Sequence, residues 1–220
     1  MGYTNFPRGV TSFGVPVLGN GEIPTTLTGT YFFVNSSDTN ASNSNAGTDP
    51  NSPLSTIDYA IGLCTANKFD VIVVLPGHTE SVIAASGITV DIAGVTIVGL
   101  GTGTKRPTVT LSTATTATVV VSAANVTIRN ILFVGNLDNI ATCLSISGTD
   151  CWIDGCEFRD TSNALHFLSP ITTGTANTAD RLKVTNNKCV QLASAATAFM
   201  DCSAGAITGL IVKNNYVESA

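Results

Sequence analysis

Apolar and polar residues alternate along short stretches of this chain, and five of those stretches share one pattern: AGVTIVGL from Ala93, ANVTIRNILF from Ala124, DCWIDGCEF from Asp150, RLKVTNNKC from Arg181 and GLIVKNNYV from Gly209. Aligned, they place Val95, Val126, Cys151, Leu182 and Leu210 in one inward column, and Ile97, Ile128, Ile153, Val184 and Val212 in a second, two residues on. A third column holds Gly99, Asn130, Gly155, Asn186 and Asn214, residue types that tolerate a left-handed bend. The repeats are spaced by 31, 25, 31 and 28 residues. A period in that range marks a solenoid in which each coil buries its apolar side only against its neighbours.

The unit is a strand, because apolar residues recur at i and i+2 and are largely Val, Ile and Thr. Strand, bend and strand stacked in parallel make a β-helix. An ordinary β-sandwich also repeats short strands and turns, but it does not hold the Gly/Asn bend at one place in five repeats. The expected fold is therefore all-β: a single-stranded right-handed parallel β-helix over residues 31–220. An amphipathic helix over about 54–67, with Ile57, Ala60, Ile61 and Cys64 on one face and Ser52 or Ser55 as its cap, is expected to close the N-terminal end. Asp70 to Gly77, DVIVVLPG, reads as a strand buried on both sides. An 18-residue polar loop follows the first strand, Tyr31 to Val34, and nothing comparable to the cap helix follows the last coil.

Residues 1–30 have no sustained period. They combine repeated Gly and Pro with Phe6, Phe13, Val15, Val17 and Leu18, and carry Arg8. Disordered tails are usually poor in large apolar groups, so an extended arm that orders against a partner is expected; folding back along its own solenoid is the alternative.

Composition sharpens this picture. Charged residues make up 11% of the chain, where globular proteins carry roughly a quarter, so much of the Thr-, Ser-, Ala- and Val-rich surface is expected to be covered by other chains. A net charge of −5 argues against nucleic acid, which requires a basic stripe. The only adjacent basic pair, Lys105–Arg106, reads as a solvated turn before Pro107. No export signal is visible, and no apolar run is long enough to span a bilayer. Six cysteines without a CxxC pair read as small buried hydrophobes, with no metal and no cofactor expected.

Catalytic candidates are few. Asp154 and Glu157 form the best carboxylate pair, but column alignment sets them beside Arg129 and Lys188, which predicts surface ion pairs across coils. His78 and Glu80 within PGHTE could act as acid and base, though the string also suits a turn, and His166 lies in an apolar stretch. No catalytic residue is assigned. Trp152 points outward and is expected at an interface rather than under a sugar. Asn130, Asn186 and Asn214 are expected to stack as a hydrogen-bonded ladder at the bend.

The order of a strand, a polar loop with GTDPNSPLSTIDYAI, a helix, DVIVVLPGHTE and a series of coils resembles the right-handed parallel β-helix proteins of the pectate-lyase-like superfamily. It is more closely similar to β-helix proteins of tailed-bacteriophage virions, in which a segment similar to RGVTSFGVPVLG precedes the same helix and PGHTE element. The resemblance implies either a carbohydrate-cleaving tailspike or a non-enzymatic capsid decoration (cement) protein. The expectation adopted is a decoration protein on the virion surface, made in the host cytoplasm. It would bind the major capsid protein through residues 1–30 and assemble as a homotrimer, with no nucleic acid or membrane partner. The alternatives are a tailspike or fibre that binds or cleaves surface polysaccharide, and a glycan-binding module without turnover.

Overall fold

A computed structural model describes residues 29–176 and 178–220 of the 220, together with the backbone of a two-residue antiparallel ribbon that pairs Thr11–Ser12 with Val15–Pro16. From Tyr31 onward the chain winds into a parallel β-solenoid of about five turns with three faces. The first face stacks seven strands: Tyr31–Val34, Val71–Val74, Thr96–Gly99, Thr127–Arg129, Trp152–Asp154, Lys183–Thr185 and Ile211–Lys213. The second has six, from Thr79–Val82 to Tyr216–Ser219, and the third five, from Ile88–Val90 to Met200–Asp201.

The inward columns are those read from the sequence. Ile97, Ile128, Ile153, Val184 and Val212 are direct register partners on successive strands. Val95, Val126, Cys151 and Leu182 are fully buried one turn of the alternation earlier. The columns end in solvent, with Leu210 partly buried and Val212 50% exposed, because no described strand stacks beyond Ile211–Lys213. The solenoid interior is filled rather than hollow. Phe133 stacks on Phe158 at 5.4 Å between ring centroids, and the void among Ile57, Ile97, Ile128 and Phe133 measures only about 10 Å³. All six cysteines are free thiols, five of them buried, and burial pushes Cys151 and Cys156 up to about 11 and Cys64 and Cys189 up to about 12.

The bends require two corrections. Asn130, Gly155, Asn186 and Asn214 do adopt positive φ, 54° to 59°, but Gly99 does not. Gly99 ends its strand, and a Cβ there would overlap the carbonyl oxygen of Asn130 in the next coil. Its coil takes residues 100–107 to reach the second face, where later coils take two, and the left-handed residues there are Gly101 and Gly103. A second bend column went unread in the sequence. Phe69, Gly94, Asn125, Asp150, Arg181 and Gly209 each lie two residues before a first-face strand, and all have φ between 58° and 80°. Backbone bonds run down this corner from Gly94 N–H to Ala124 O, Asn125 N–H to Thr149 O and Asp150 N–H to Asp180 O.

The helix is shorter than expected, Ile57–Leu63, and its N-cap is Thr56, whose hydroxyl accepts from Tyr59 N–H. It buries Ile57, Ala60 and Ile61 in the main core and touches the strands at 31–34, 71–74 and 88–90. The polar loop before it is built rather than loose. Asn43 Oδ1 accepts from Ser55 and Thr56 N–H, and Asn45 Nδ2 donates to the carbonyls of Asn40 and Pro53. Phe33 N–H donates to Gly47 O and Leu54 N–H to Phe33 O, so the loop occupies the edge of the first strand that would otherwise present unpaired backbone.

Candidate functional site

Charge in this charge-poor chain collects at the corner between the first and second faces. Each short strand places its last residue and the first residue of the next strand on either side of the bend. Parallel stacking then sets the equivalents of neighbouring coils about 4.8 Å above and below. Asp154 thereby receives Arg129 Nε at 3.1 Å from the preceding coil, and Thr185 Oγ1 at 2.7 Å and Asn186 Nδ2 at 2.8 Å from the following one. Glu157 takes Arg106 Nη1 at 3.1 Å, Arg159 Nη2 at 2.7 Å and Lys188 Nζ at 3.7 Å.

The ion pairs Arg129–Asp154 and Lys188–Glu157 are those the columns predicted; their carboxylates are buried, while the Lys188 side chain stays 52% exposed. Burial alone would raise the Glu157 pKa; the hydrogen bond and charge of Arg159, joined by Lys188 and Arg106, outweigh it and hold the carboxyl below its ordinary value. Glu157 is thus an anion at neutral pH, with hydrogen bonds to both of its oxygens. It has no proton to give at that pH, and three cations hold it in its charged form.

Arg106 is the residue the sequence reading misplaced. It is not a solvated turn residue: its side chain is mostly buried, donating to Glu157 and to the carbonyl of Gly155. The long 100–107 connection carries it out of the repeat register, so column alignment had no position for it. Lys105, in the one-turn 3-10 helix Gly103–Lys105, does stay exposed.

Trp152 lies half-buried in the outward row of the first face. Its Nε1 donates to Thr185 Oγ1 at 2.8 Å, and the Arg129 guanidinium sits 5.5 Å from the ring centroid. Beside this group an open groove of about 290 Å³ is lined by Val98, Gly101, Thr102, Arg129, Asn130, Asp154 and Gly155. Its polar lining is tied up internally: Arg129 is bonded to Asp154, and Asn130 Nδ2 to the carbonyls of Gly99 and Gly101.

The histidines sit elsewhere. His78 is fully buried; Ser36 N–H donates to its Nδ1 at 3.0 Å, which leaves Nε2–H to reach Glu80 Oε2 at 3.2 Å. Glu80 Oε2 also accepts Ile57 N–H at 2.9 Å, so this would-be acid–base pair ties the loop after the first strand to the start of the helix. His166 is buried with Asp138 Oδ1 3.8 Å from Nδ1. Among the described residues no three of His, Cys, Asp and Glu converge as a metal site. No described helix is long and apolar enough to cross a membrane.

The expected Asn ladder is displaced by one residue. Asn214 does reach Asn186 at 3.4 Å, and Asn186 reaches Asp154, but Asn130 donates instead to the carbonyls of Gly99 and Gly101. The continuous ladder runs through Asn187 and Asn215, on the inner side of the bend. Cys156 N–H donates to Asn187 Oδ1 at 2.8 Å and Asn187 N–H to Asn215 Oδ1 at 2.9 Å, while their amide nitrogens donate to Ile153 O and Val184 O.

Of the arm residues, Phe6, Arg8, Phe13, Val17 and Leu18 lie outside the described residues, and Val15 is described only as backbone in the ribbon. No family model, no curated protein and no solved structure matches this chain.

Proposed function

We propose that this chain is a structural virion protein, a bacteriophage head decoration (cement) protein that binds the major capsid protein as an oligomer. The observation that carries the choice of a non-enzymatic role is that Asp154 and Glu157, the best-placed carboxylate pair, are buried and held by six partners from their own and other coils. A glycosidase needs one carboxyl free to donate a proton and another free to attack or to activate water. The virion assignment itself rests on the resemblance of RGVTSFGVPVLG, GTDPNSPLSTIDYAI and DVIVVLPGHTE to phage β-helix proteins.

In this reading the solenoid is right-handed, the helix at Ile57–Leu63 is its N-terminal cap, and copies associate as a homotrimer through side walls poor in charge. Phe6, Arg8, Phe13, Val15, Val17 and Leu18 bind the capsid. Quantitative mass analysis of purified particles tests it. Hundreds of copies per virion accord with decoration, and a few to a few dozen would replace it with a tailspike or fibre. Deleting residues 1–25 leaves the solenoid folded and abolishes attachment; wild-type occupancy of the truncated chain would move the anchor elsewhere.

The groove beside Trp152 and Arg129 favours a second reading, a tailspike-like β-helix that binds or cleaves host polysaccharide. Incubation with host surface polysaccharide separates the two, because release of oligosaccharides would establish the second.

A further inference from the structure

His78 is fully enclosed, and the hydrogen bonds on its ring fix where its proton sits. Ser36 N–H donates to Nδ1 at 3.0 Å, so Nδ1 is an acceptor and the neutral ring carries its proton on Nε2, 3.2 Å from Glu80 Oε2. The side chain is 0% exposed, whereas Ser36 and Ser37 face water. Three further bonds fasten the turn at residues 35–38 to residues 77–79. Ser36 Oγ accepts from Thr79 N–H at 3.1 Å and donates to Thr79 O at 2.6 Å, and Ser37 Oγ donates to Gly77 O at 2.7 Å. Those three lie in solvent, where water competes for each group, and only the bond to His78 ends on a buried partner. The charges on the surrounding elements are otherwise engaged. Asp38 Oδ1 accepts from Asn40 N–H, Asp58 Oδ1 of the helix accepts from Thr89 N–H, Arg106 donates to Glu157, and Lys105 is exposed. Among the described residues, Glu80 is the charged group that bonds the ring.

We propose that His78 is a proton-operated latch: uptake of a second ring proton releases the turn at residues 35–38 from the corner at residues 77–80. The added proton goes to Nδ1, since Nε2 already carries one. There it faces Ser36 N–H, donor against donor, so the hydrogen bond is lost while a full charge is shut away from water. Glu80 does not offset this. It is carried by the Thr79–Val82 strand and not by the turn, so its pairing with the ring is the same whether the turn is closed or open. What differs is that the open turn gives both Nδ1–H and Ser36 N–H to water. Protonation therefore favours the open turn, and falling pH shifts the population towards it. The rest of the polar loop stays in place, because the bonds of Asn43, Asn45 and Gly47 do not touch this corner. The latch does not depend on the virion reading.

Solution NMR of the full chain tests it. The ring-nitrogen shifts of His78 and the solvent exchange of the Ser36 amide, corrected for its intrinsic pH dependence, are followed between about pH 7.5 and about pH 5.5, within the interval where histidine changes charge. The expected result is a proton on Nε2 at the upper limit, a loss of Ser36 protection of at least about tenfold at the lower one, and a single midpoint for ring and amide. His78→Asn, whose Oδ1 accepts a hydrogen bond but takes up no proton, should hold Ser36 protection within about twofold over the same interval. Unchanged amides in the Val71–Val74 strand show that the solenoid stays folded. Ser36 protection indifferent to pH in the parent chain overturns the proposal, as does a ring that titrates without it or carries its proton on Nδ1 at the upper limit. An equal loss of protection in His78→Asn overturns it too. Should that variant fail to fold, the two midpoints in the parent chain decide: coincidence supports the latch and separation overturns it.

Discussion

Ile153 and Val212 hold the same column position, yet one is fully buried and the other half-exposed. Ile153→Ala therefore costs about 2–5 kcal/mol through lost transfer energy and the cavity left behind. Val212→Ala costs less than about 1 kcal/mol, because its environment is already partly water. Denaturant unfolding of both variants checks the contrast. Glu157 makes a pH prediction. Its folded pKa lies below the unfolded value, so its stabilisation is present above the ordinary Glu range near 4.5 and is lost as pH falls through the folded value. Glu157→Gln should weaken the fold at pH 7 by about 1–3 kcal/mol, the worth of hydrogen bonds to a charged group, and should flatten the loss of stability on acidification. An acid-unfolding curve identical to that of the parent would show that Arg106, Arg159 and Lys188 contribute nothing through this carboxylate. The inward columns, both ion pairs and the buried cysteines were legible at this scale because each follows from alternation plus a fixed repeat. Arg106 was not, since its 100–107 connection breaks the repeat.

Bends and their ladders are the features of the coil as an element. Asn187 bonds Cys156 N–H and Ile153 O, two backbone groups on the inner side of the bend that have no water to turn to. Asn187→Ala should cost about 1–3 kcal/mol and speed amide exchange at Cys156, which native-state hydrogen exchange would detect. Asn125, at φ 58°, is a different case: its position asks only for tolerance of the left-handed region. Asn125→Gly should change stability by no more than a few tenths of a kcal/mol, and Asn125→Val should cost about 1–2 kcal/mol. Equal effects in thermal unfolding would remove backbone conformation as the reason for this column. The sequence disclosed one bend column through its Gly and Asn residues. It concealed the other because Phe69, Asp150 and Arg181 occupy left-handed positions that residue type does not advertise.

At the scale of the whole molecule, the stack ends in open strands at Ile211–Lys213 and Tyr216–Ser219, with Ile211, Val212, Tyr216 and Val217 exposed together. Under the proposed oligomer, sedimentation shows no substantial monomer at micromolar concentration; a clean monomer would remove the support that scarce surface charge lends to self-association. The sequence by itself determined the parallel stack, its register and its core. Strand periodicity and a recurring bend residue are local properties that, repeated at near-constant spacing, admit one arrangement. It also marked Val71–Val74 as buried on both sides, since four consecutive branched apolar residues suit neither rim nor solvent. Only the tertiary structure decided which groups outside the repeat register meet the corner carboxylates, where Arg106 lands on Glu157 across 51 residues. Those meetings depend on the length of each connection between strands, and connection length carries no periodic signal from which a partner can be read.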